Sequence, residues 1–200
     1  MELKRVVVTG IGAVSPLGNS AAETWQKLLD GVSGAAPITH FDATQFKTQF
    51  ACELKGFKAE NYIDRKEARK MDPYCHYAMA AASMAMDDSA IDLEAIDKNR
   101  VGVVFGVGIG GMQTFEDEIV NYALHKDTLG PKFSPFFVPK MIADICAGQI
   151  SIKYGFHGPN YITSGACASS TNALADAFNL IRLGKANVIV SGGAEAAIIP

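Results

Sequence analysis

One cysteine in this sequence lies in a setting that could make its thiol a nucleophile. Cys167 is part of residues 163–170, a stretch of small residues that follows a strand-like run ending at Thr163 and precedes apolar residues at helical spacing. A strand, a tight turn and a helix would place the thiol beside a helix N-terminus, where free N–H groups and the helix dipole stabilise a thiolate. Such a group suits acyl transfer through a thioester. The alternative is a buried, inert thiol, because free cysteines are among the most buried residues.

The residues alone do not identify a base for this thiol. The histidines are isolated, and His157, which precedes the cysteine strand in a glycine and proline turn, is near Cys167 only in sequence. The cysteines form no C-x-x-C pair and have no short spacing to a histidine that would suggest zinc, so we predict free thiols and no metal site. The four cysteines are Cys52, Cys75, Cys146 and Cys167.

A glycine motif offers a competing function. Gly106, Gly108 and Gly111 spell G-x-G-x-x-G between a predicted strand and a predicted helix, the context of a dinucleotide-binding turn. That fingerprint also needs an acidic residue about 20 positions later, at the end of a second strand. The candidate, Asp127, falls in a predicted loop instead. The alternatives are therefore a nucleotide-binding α/β domain and glycines used for close packing.

Four basic residues cluster within two helical turns, at Arg65, Lys66, Arg69 and Lys70. Such a run is usually a solvated helix face, but on an otherwise acidic protein it could also dock an acidic partner or a phosphate. The net charge of the chain is −3, which gives no electrostatic reason to expect binding along a nucleic acid.

The elements that must position these residues alternate between strands and helices. Buried strands are predicted at residues 6–8, 101–105 and 187–191, and helix starts at the Ser20 capping box and at Asp72 with Pro73. Residues 32–63 are predicted to be irregular with an edge hairpin, residues 126–139 a loop and residues 140–154 a helix. With 200 residues, 48% of them hydrophobic, the chain predicts one α/β domain with a mostly parallel sheet.

The start of the chain has no basic and apolar leader, and no apolar run approaches the ~18 residues of a membrane span. The free thiols suit a reducing compartment. We therefore expect a cytoplasmic protein with no membrane insertion.

Eight segments carry a resemblance to a known family. They are RVVVTGIG (5–12), SPLG (15–18), RKEARKMD (65–72), GIGG (108–111), SPFFVP (134–139), GP (158–159), ACAS (166–169) and SGGAE (191–195). Together they resemble the β-ketoacyl-[acyl-carrier-protein] synthases, the condensing enzymes of fatty-acid synthesis, and most closely the synthase II type. The resemblance spans essentially the whole chain and implies that Cys167 is catalytic rather than inert.

The resemblance implies a thiolase-like layered α/β fold, with a mostly parallel sheet, helices on both faces, and two repeated halves of which this is the first. Cys167 would accept an acyl chain from the phosphopantetheine of an acyl carrier protein, and its backbone N–H would donate to the oxyanion. Decarboxylation of malonyl-carrier protein would then extend the chain by two carbons. No cofactor beyond the carrier's phosphopantetheine is expected.

Further residues take roles by their position in the family's motifs. Ile109 would flank the acyl pocket, and Phe137 would reach toward the partner subunit's pocket across a homodimer. Lys132 is a further candidate for carrier-protein binding, from a loop that is one residue shorter here. The residues matching the family's carrier-protein patch are Lys66, Arg69 and Lys70.

Length is the main departure from the family, whose members are about twice as long. Their two active-site histidines, their lysine and their second oxyanion donor would lie beyond Pro200. We therefore expect residues 1–200 to be the N-terminal half of a synthase domain and to be inactive alone. The alternatives are a non-catalytic partner or isolated fragment of such a synthase and a nucleotide-binding α/β domain.

Overall fold

Helices and strands alternate along most of the chain in the computed structural model, which describes residues 3–130 and 132–200. The described helices are α1 (Ala21–Leu29), α2 (Arg65–Ala68), α3 (Pro73–Ser89), α4 (Met112–Leu129), α5 (Phe137–Met141), α6 (Ile145–Tyr154) and α7 (Ser169–Arg182). The described strands are β1 (Ala36–Pro37), β2 (Phe50–Ala51), β3 (Val101–Gly106), β4 (Asn160–Thr163) and β5 (Val188–Gly193). In this part of the chain, no helix has the length and apolarity needed to cross a membrane.

The central element is a parallel sheet with the strand order β4-β3-β5. Every residue of β3 is buried, because both faces of this strand are covered. Val103 and Phe105 join the main apolar core, in which α6 packs on one face of the sheet and α3 packs against α6. On the other face α7 packs against all three strands. The predicted mostly parallel sheet with helices on both faces is thus confirmed. The antiparallel pairing expected within residues 32–63 is present as β1 and β2, but these strands form a separate two-stranded sheet and not an edge of the central one.

The predicted strand at residues 6–8 is wrong. The backbone over residues 3–14 forms no strand, and the Val8 side chain is 80% exposed. This segment instead crosses α3 so closely that a Cβ at Gly10 or Gly12 would collide with the carbonyl oxygen of Ala85 or Ala81. A β-branched run favours extended backbone, but a strand also needs a hydrogen-bonded neighbour, and none of the described strands lies beside it.

Local capping signals predicted the helix starts correctly. The Ser20 hydroxyl accepts the Glu23 N–H (3.1 Å) at the start of α1, and Asp72 caps α3 with Pro73 in the first turn. The boundaries around residues 126–154 differ from the prediction. α4 continues to residue 129, α5 begins within the predicted loop and ends at residue 141, and the predicted helix from residue 140 is broken because Ile142 is extended (ψ 137°). Residues 1, 2 and 131 lie outside the described residues.

Candidate active site

Cys167 lies at a strand–turn–helix junction, as the sequence predicts. β4 ends at Thr163, a single 3-10 turn spans Ala166–Ala168, and α7 begins at the next residue. Ala166 adopts a left-handed conformation with φ 49°, which costs a residue with a Cβ about 1–2 kcal/mol. Cys167 is exposed, so the turn presents its thiol to solvent rather than burying it in the core.

The Ser169 hydroxyl closes this turn, because it donates one hydrogen bond and accepts another. The residue is 4% exposed; its Oγ donates to the Ala166 carbonyl (2.7 Å) and accepts the Gly165 N–H (2.9 Å). The Thr163 hydroxyl in turn donates to the Ser169 carbonyl (2.8 Å). These bonds offset the cost of the left-handed residue and hold the backbone on both sides of Cys167. Sequence reasoning missed this role of Ser169, for which the only signal was its match to the ACAS segment.

The thiol opens into a cavity of about 570 Å³ at the edge of the sheet where all three parallel strands end. Ile109, whose side chain is 57% exposed, lines the same cavity as Cys167. Two of the three strands end in glycine beside it, at Gly106 and Gly193. A Cβ at Gly106 would collide with the backbone of Ser169, so this glycine is required for α7 to approach β3.

The backbone N–H groups of the glycine motif are bound to a carboxylate of the same chain. Glu195 Oε2 accepts the N–H groups of Gly108 and Ile109 (2.9 Å each), and Oε1 accepts that of Gly110 (3.3 Å). A dinucleotide phosphate would need such N–H groups for itself. Asp127 lies within α4 rather than at a strand end. Both observations argue against nucleotide binding and support the interpretation of these glycines as packing residues.

No histidine among the described residues lines the cavity that contains Cys167. His40 and His125 line a different cavity, and the Nε2–H of His76 donates to the Ala68 carbonyl (2.7 Å). Within residues 3–130 and 132–200, no group of three or more histidine, cysteine and acidic side chains is placed to hold a metal ion.

Two cysteines in the core differ sharply from the exposed Cys167. Cys75 and Cys146 are both fully buried. Burial raises the pKa of the Cys146 thiol to about 12 and shifts the pKa of the Cys75 thiol upward as well. Both are packing residues, because a buried neutral thiol neither reaches a substrate nor ionises near neutral pH.

The basic cluster lies on a short, well-anchored helix. Asp64 caps α2 by accepting the Lys66 N–H (2.8 Å), and the buried Ala68 fixes its inner side. The side chains of Lys66, Arg69 and Lys70 are exposed; Lys70 pairs with Glu67 (2.7 Å). Lys132 is also exposed, but no described hydrogen bond or ion pair connects it to α2. The three predicted residues thus lie on α2 or directly after its C-terminal end, and all three are open to solvent.

Phe137 lies at the first position of α5 in an aromatic cluster. Its ring stacks on that of Phe133 (5.5 Å between centroids), which in turn stacks on Tyr122 (5.0 Å). Phe137 does not line the cavity that contains Cys167 and Ile109. Because its expected contact is with a partner subunit, its role in an acyl pocket stays a prediction.

A buried carboxylate ties the start of α3 to the start of α4. Asp72 is 0% exposed; its Oδ1 accepts the Tyr74 N–H (3.3 Å), and its Oδ2 accepts both the N–H (2.9 Å) and the hydroxyl (2.7 Å) of Thr114. α4 begins directly after the glycine motif. Asp72 therefore fixes the helix that follows the wall of the cavity, a function that its predicted role as an N-cap did not include.

A parallel sheet covered on both faces, with an exposed cysteine between a strand and a helix at the sheet edge, agrees with the thiolase-like fold of the ketosynthases that this structure resembles. The chain belongs to the β-ketoacyl synthase family, since residues 3–200 match the family described as beta-ketoacyl synthase, N-terminal domain.

Relatives and solved structures agree with this assignment. The chain is 42% identical over 200 residues, all of the chain and 47% of the relative, to a 3-oxoacyl-[acyl-carrier-protein] synthase 2 from Synechocystis sp.. It is 45% identical over 198 residues, 98% of the chain and 46% of the relative, to the protein of the same name from Staphylococcus aureus. A ketosynthase bound to a hexaketide and in complex with its type II PKS acyl-carrier protein matches with a TM-score of 0.85 and 29% identity, over 99% of this chain and 53% of that chain. The chain spans about half the length of the curated relatives it matches.

Proposed function

We propose that this chain is the part of a β-ketoacyl-[acyl-carrier-protein] synthase that carries the nucleophile, Cys167. Residues 1–200 then form the N-terminal half of the synthase domain. The observation that carries the proposal is the exposed Cys167 thiol, held in a 3-10 turn that begins at the left-handed Ala166 and lining the same cavity as Ile109. The name of the relatives, 3-oxoacyl-[acyl-carrier-protein] synthase 2, supports the same class of reaction.

In the first step, the Cys167 thiolate attacks the carbonyl carbon of an acyl group carried on the phosphopantetheine of an acyl carrier protein. The bond between that carbon and the phosphopantetheine sulfur breaks, the carrier leaves as a thiol with the proton that Cys167 gave up, and the acyl chain stays on Sγ as a thioester. Among the described hydrogen bonds, the Cys167 N–H has no backbone acceptor. It is therefore available to stabilise the oxyanion of the tetrahedral intermediate.

In the second step, malonyl-carrier protein loses carbon dioxide, and the resulting carbanion attacks the thioester. The bond to Sγ breaks, Cys167 returns to the thiolate, and the β-ketoacyl product is two carbons longer. The family resemblance assigns this step to histidines, a lysine and a second oxyanion donor beyond residue 200. The cavity has no histidine among its described lining residues. Residues 1–200 alone are therefore expected not to release carbon dioxide from malonyl-carrier protein.

The substrates arrive on the carrier protein, so the synthase needs no cofactor or metal of its own. Lys66, Arg69 and Lys70 receive the acidic carrier on the surface of α2, assisted by Lys132. Phe137 contributes to the acyl pocket of the partner subunit in a homodimer, and Ile109 to the pocket beside Cys167. We place the enzyme in the cytoplasm. The similar ketosynthase in complex with its acyl-carrier protein supports the carrier as partner.

Mass spectrometry of the protein at its natural length tests the nucleophile. After incubation with acyl-carrier proteins loaded with a series of acyl chains, we expect one acyl group, mapped to Cys167. Cys167→Ala abolishes the adduct, whereas Cys52→Ala, which removes the other exposed thiol, leaves it unchanged. An adduct on Cys52, or none at all with every chain length, would refute the proposal; the second outcome favours a non-catalytic partner of a synthase.

A further inference from the structure

Glu195 is bound across the cavity edge to a loop that is 85 to 87 residues away in sequence. Its two carboxylate oxygens accept the consecutive N–H groups of Gly108, Ile109 and Gly110, at 2.9, 2.9 and 3.3 Å. A Cβ at Gly108 would lie 2.6 Å from Oε2, so glycine is needed there for the carboxylate to approach. Loop and carboxylate are thus built to fit each other.

The carboxylate is engaged by the loop rather than by a cation. No described lysine, arginine or histidine lies within ion-pair distance of Glu195. The three N–H groups precede α4, and Gly111, the next residue, donates its own N–H to the Met141 carbonyl (2.9 Å). Hydrogen bonds to an ionised acceptor are stronger than those to a neutral one. Glu195 therefore supplies the strongest described restraint on this loop.

The middle residue of the restrained loop is the one that lines the cavity. Ile109 has a 57% exposed side chain and makes its only described backbone hydrogen bond to Glu195. Glu195 itself lines the cavity, two residues after the end of β5, and Cys167 lines it from the turn that precedes α7. Because both carboxylate oxygens face the loop, Glu195 holds the cavity wall and does not serve as a proton acceptor for the thiol.

We propose that Glu195 is a positioning residue that sets acyl-chain selectivity by holding Ile109 as a rigid wall beside Cys167. This inference rests on the proposed function, since it assigns selectivity to the same cavity. A rigid apolar wall separates substrates that differ by a methylene by about tenfold or more, whereas a mobile wall gives way to the longer chain. Release of the loop therefore broadens the range of chains that Cys167 accepts without removing the nucleophile.

Hydrogen exchange in the protein at its natural length tests the restraint directly. In Glu195→Ala we expect the amide hydrogens of Gly108 and Ile109 to exchange at least about tenfold faster than in the unaltered protein, because their acceptor is gone. Glu195→Gln keeps the side-chain volume and one acceptor oxygen, so we expect an intermediate exchange rate. This variant provides the test if the alanine variant does not fold. Glu94→Ala is the matched control: its carboxylate is 93% exposed and precedes β3, at the opposite edge of the sheet. Unchanged exchange in both Glu195 variants would overturn the proposal.

Selectivity is measured as the rate of Cys167 acylation across a series of acyl-carrier proteins. Glu195→Ala and Ile109→Ala should each reduce the ratio of rates between neighbouring chain lengths toward one, and the double variant should add no further loss, because both act on the same wall. Two outcomes would show that Glu195 has only a structural role. One is a loss of selectivity in the double variant equal to the sum of the two single losses; the other is an unchanged ratio of acylation rates in Glu195→Ala although its loop amides exchange faster. If the unaltered protein never acylates Cys167, the proposed function and the selectivity fail together, while the exchange rates still decide whether Glu195 holds the loop.

Discussion

Replacing Ser169 by alanine removes the hydroxyl that holds both sides of the turn around Cys167. Two hydrogen bonds disappear, one to the Ala166 carbonyl and one from the Gly165 N–H, and each contributes about 1 kcal/mol. The left-handed conformation of Ala166, at φ 49°, costs about 1–2 kcal/mol. In the unaltered protein the two hydrogen bonds of Ser169, which together contribute about 2 kcal/mol, offset this cost. Without these bonds, conformations that relax Ala166 and displace the thiol become more stable than the native turn by about 1–2 kcal/mol.

We expect the Ser169→Ala variant to acylate Cys167 about ten to thirty times more slowly, since each 1.36 kcal/mol corresponds to a factor of ten. The assay is a single-turnover measurement with acyl-carrier protein, read by mass spectrometry, alongside circular dichroism to verify folding. Ser170→Ala is the control, because Ser170 makes no described side-chain hydrogen bond and alanine preserves the Cβ that packs against Gly193. Acylation of Ser169→Ala at the rate of the control would refute the assignment of Ser169 as the residue that holds the turn.

Three more predictions test other parts of the molecule. Asp72→Asn should lower the free energy of unfolding in urea by about 2 kcal/mol, because one amide oxygen cannot replace both carboxylate oxygens as acceptors; an unchanged midpoint would contradict this. Lys66→Glu should weaken carrier-protein binding in calorimetry about tenfold at low salt and less at high salt, whereas the exposed Lys47→Glu should not. Iodoacetamide at pH 8 should modify the exposed Cys52 but not the buried Cys146. The pKa of the Cys146 thiol, about 12, leaves about one part in 10⁴ as thiolate at that pH. Rapid labelling of Cys146 in a peptide map would refute its burial.

Elements with strong local signals could be predicted from the sequence. Asp72 followed by Pro73 defines the start of α3 because an N-cap and a proline in the first turn both act within a few residues. The strand β3 is predicted by its uninterrupted apolar run. The same reasoning fails at residues 6–8, where the propensity is similar but the neighbouring chain is a helix, so tertiary contacts decide the outcome.

The candidate site could be predicted only in part for the same reason. The turn at Cys167 is local, and small residues between a strand and a helix indicate it. The contact between Glu195 and Ile109 joins residues 86 apart, and no pattern in either segment specifies it. The bonds of Ser169 are local, but their direction depends on the left-handed backbone at Ala166, a conformation that alanine rarely adopts.

The parallel sheet also determines when the site can form during biosynthesis. Successive parallel strands need long crossover connections, so the three strand ends at the cavity come from positions 106, 163 and 193 of the chain. Contacts of such high sequence separation form late in folding, because the intervening chain must first be ordered. Synthesis has to pass residue 195 before the loop around Ile109 is restrained. Until then the growing chain carries the Cys167 thiol without its finished surroundings, and this is the stage at which misfolding or oxidation would most readily damage the site.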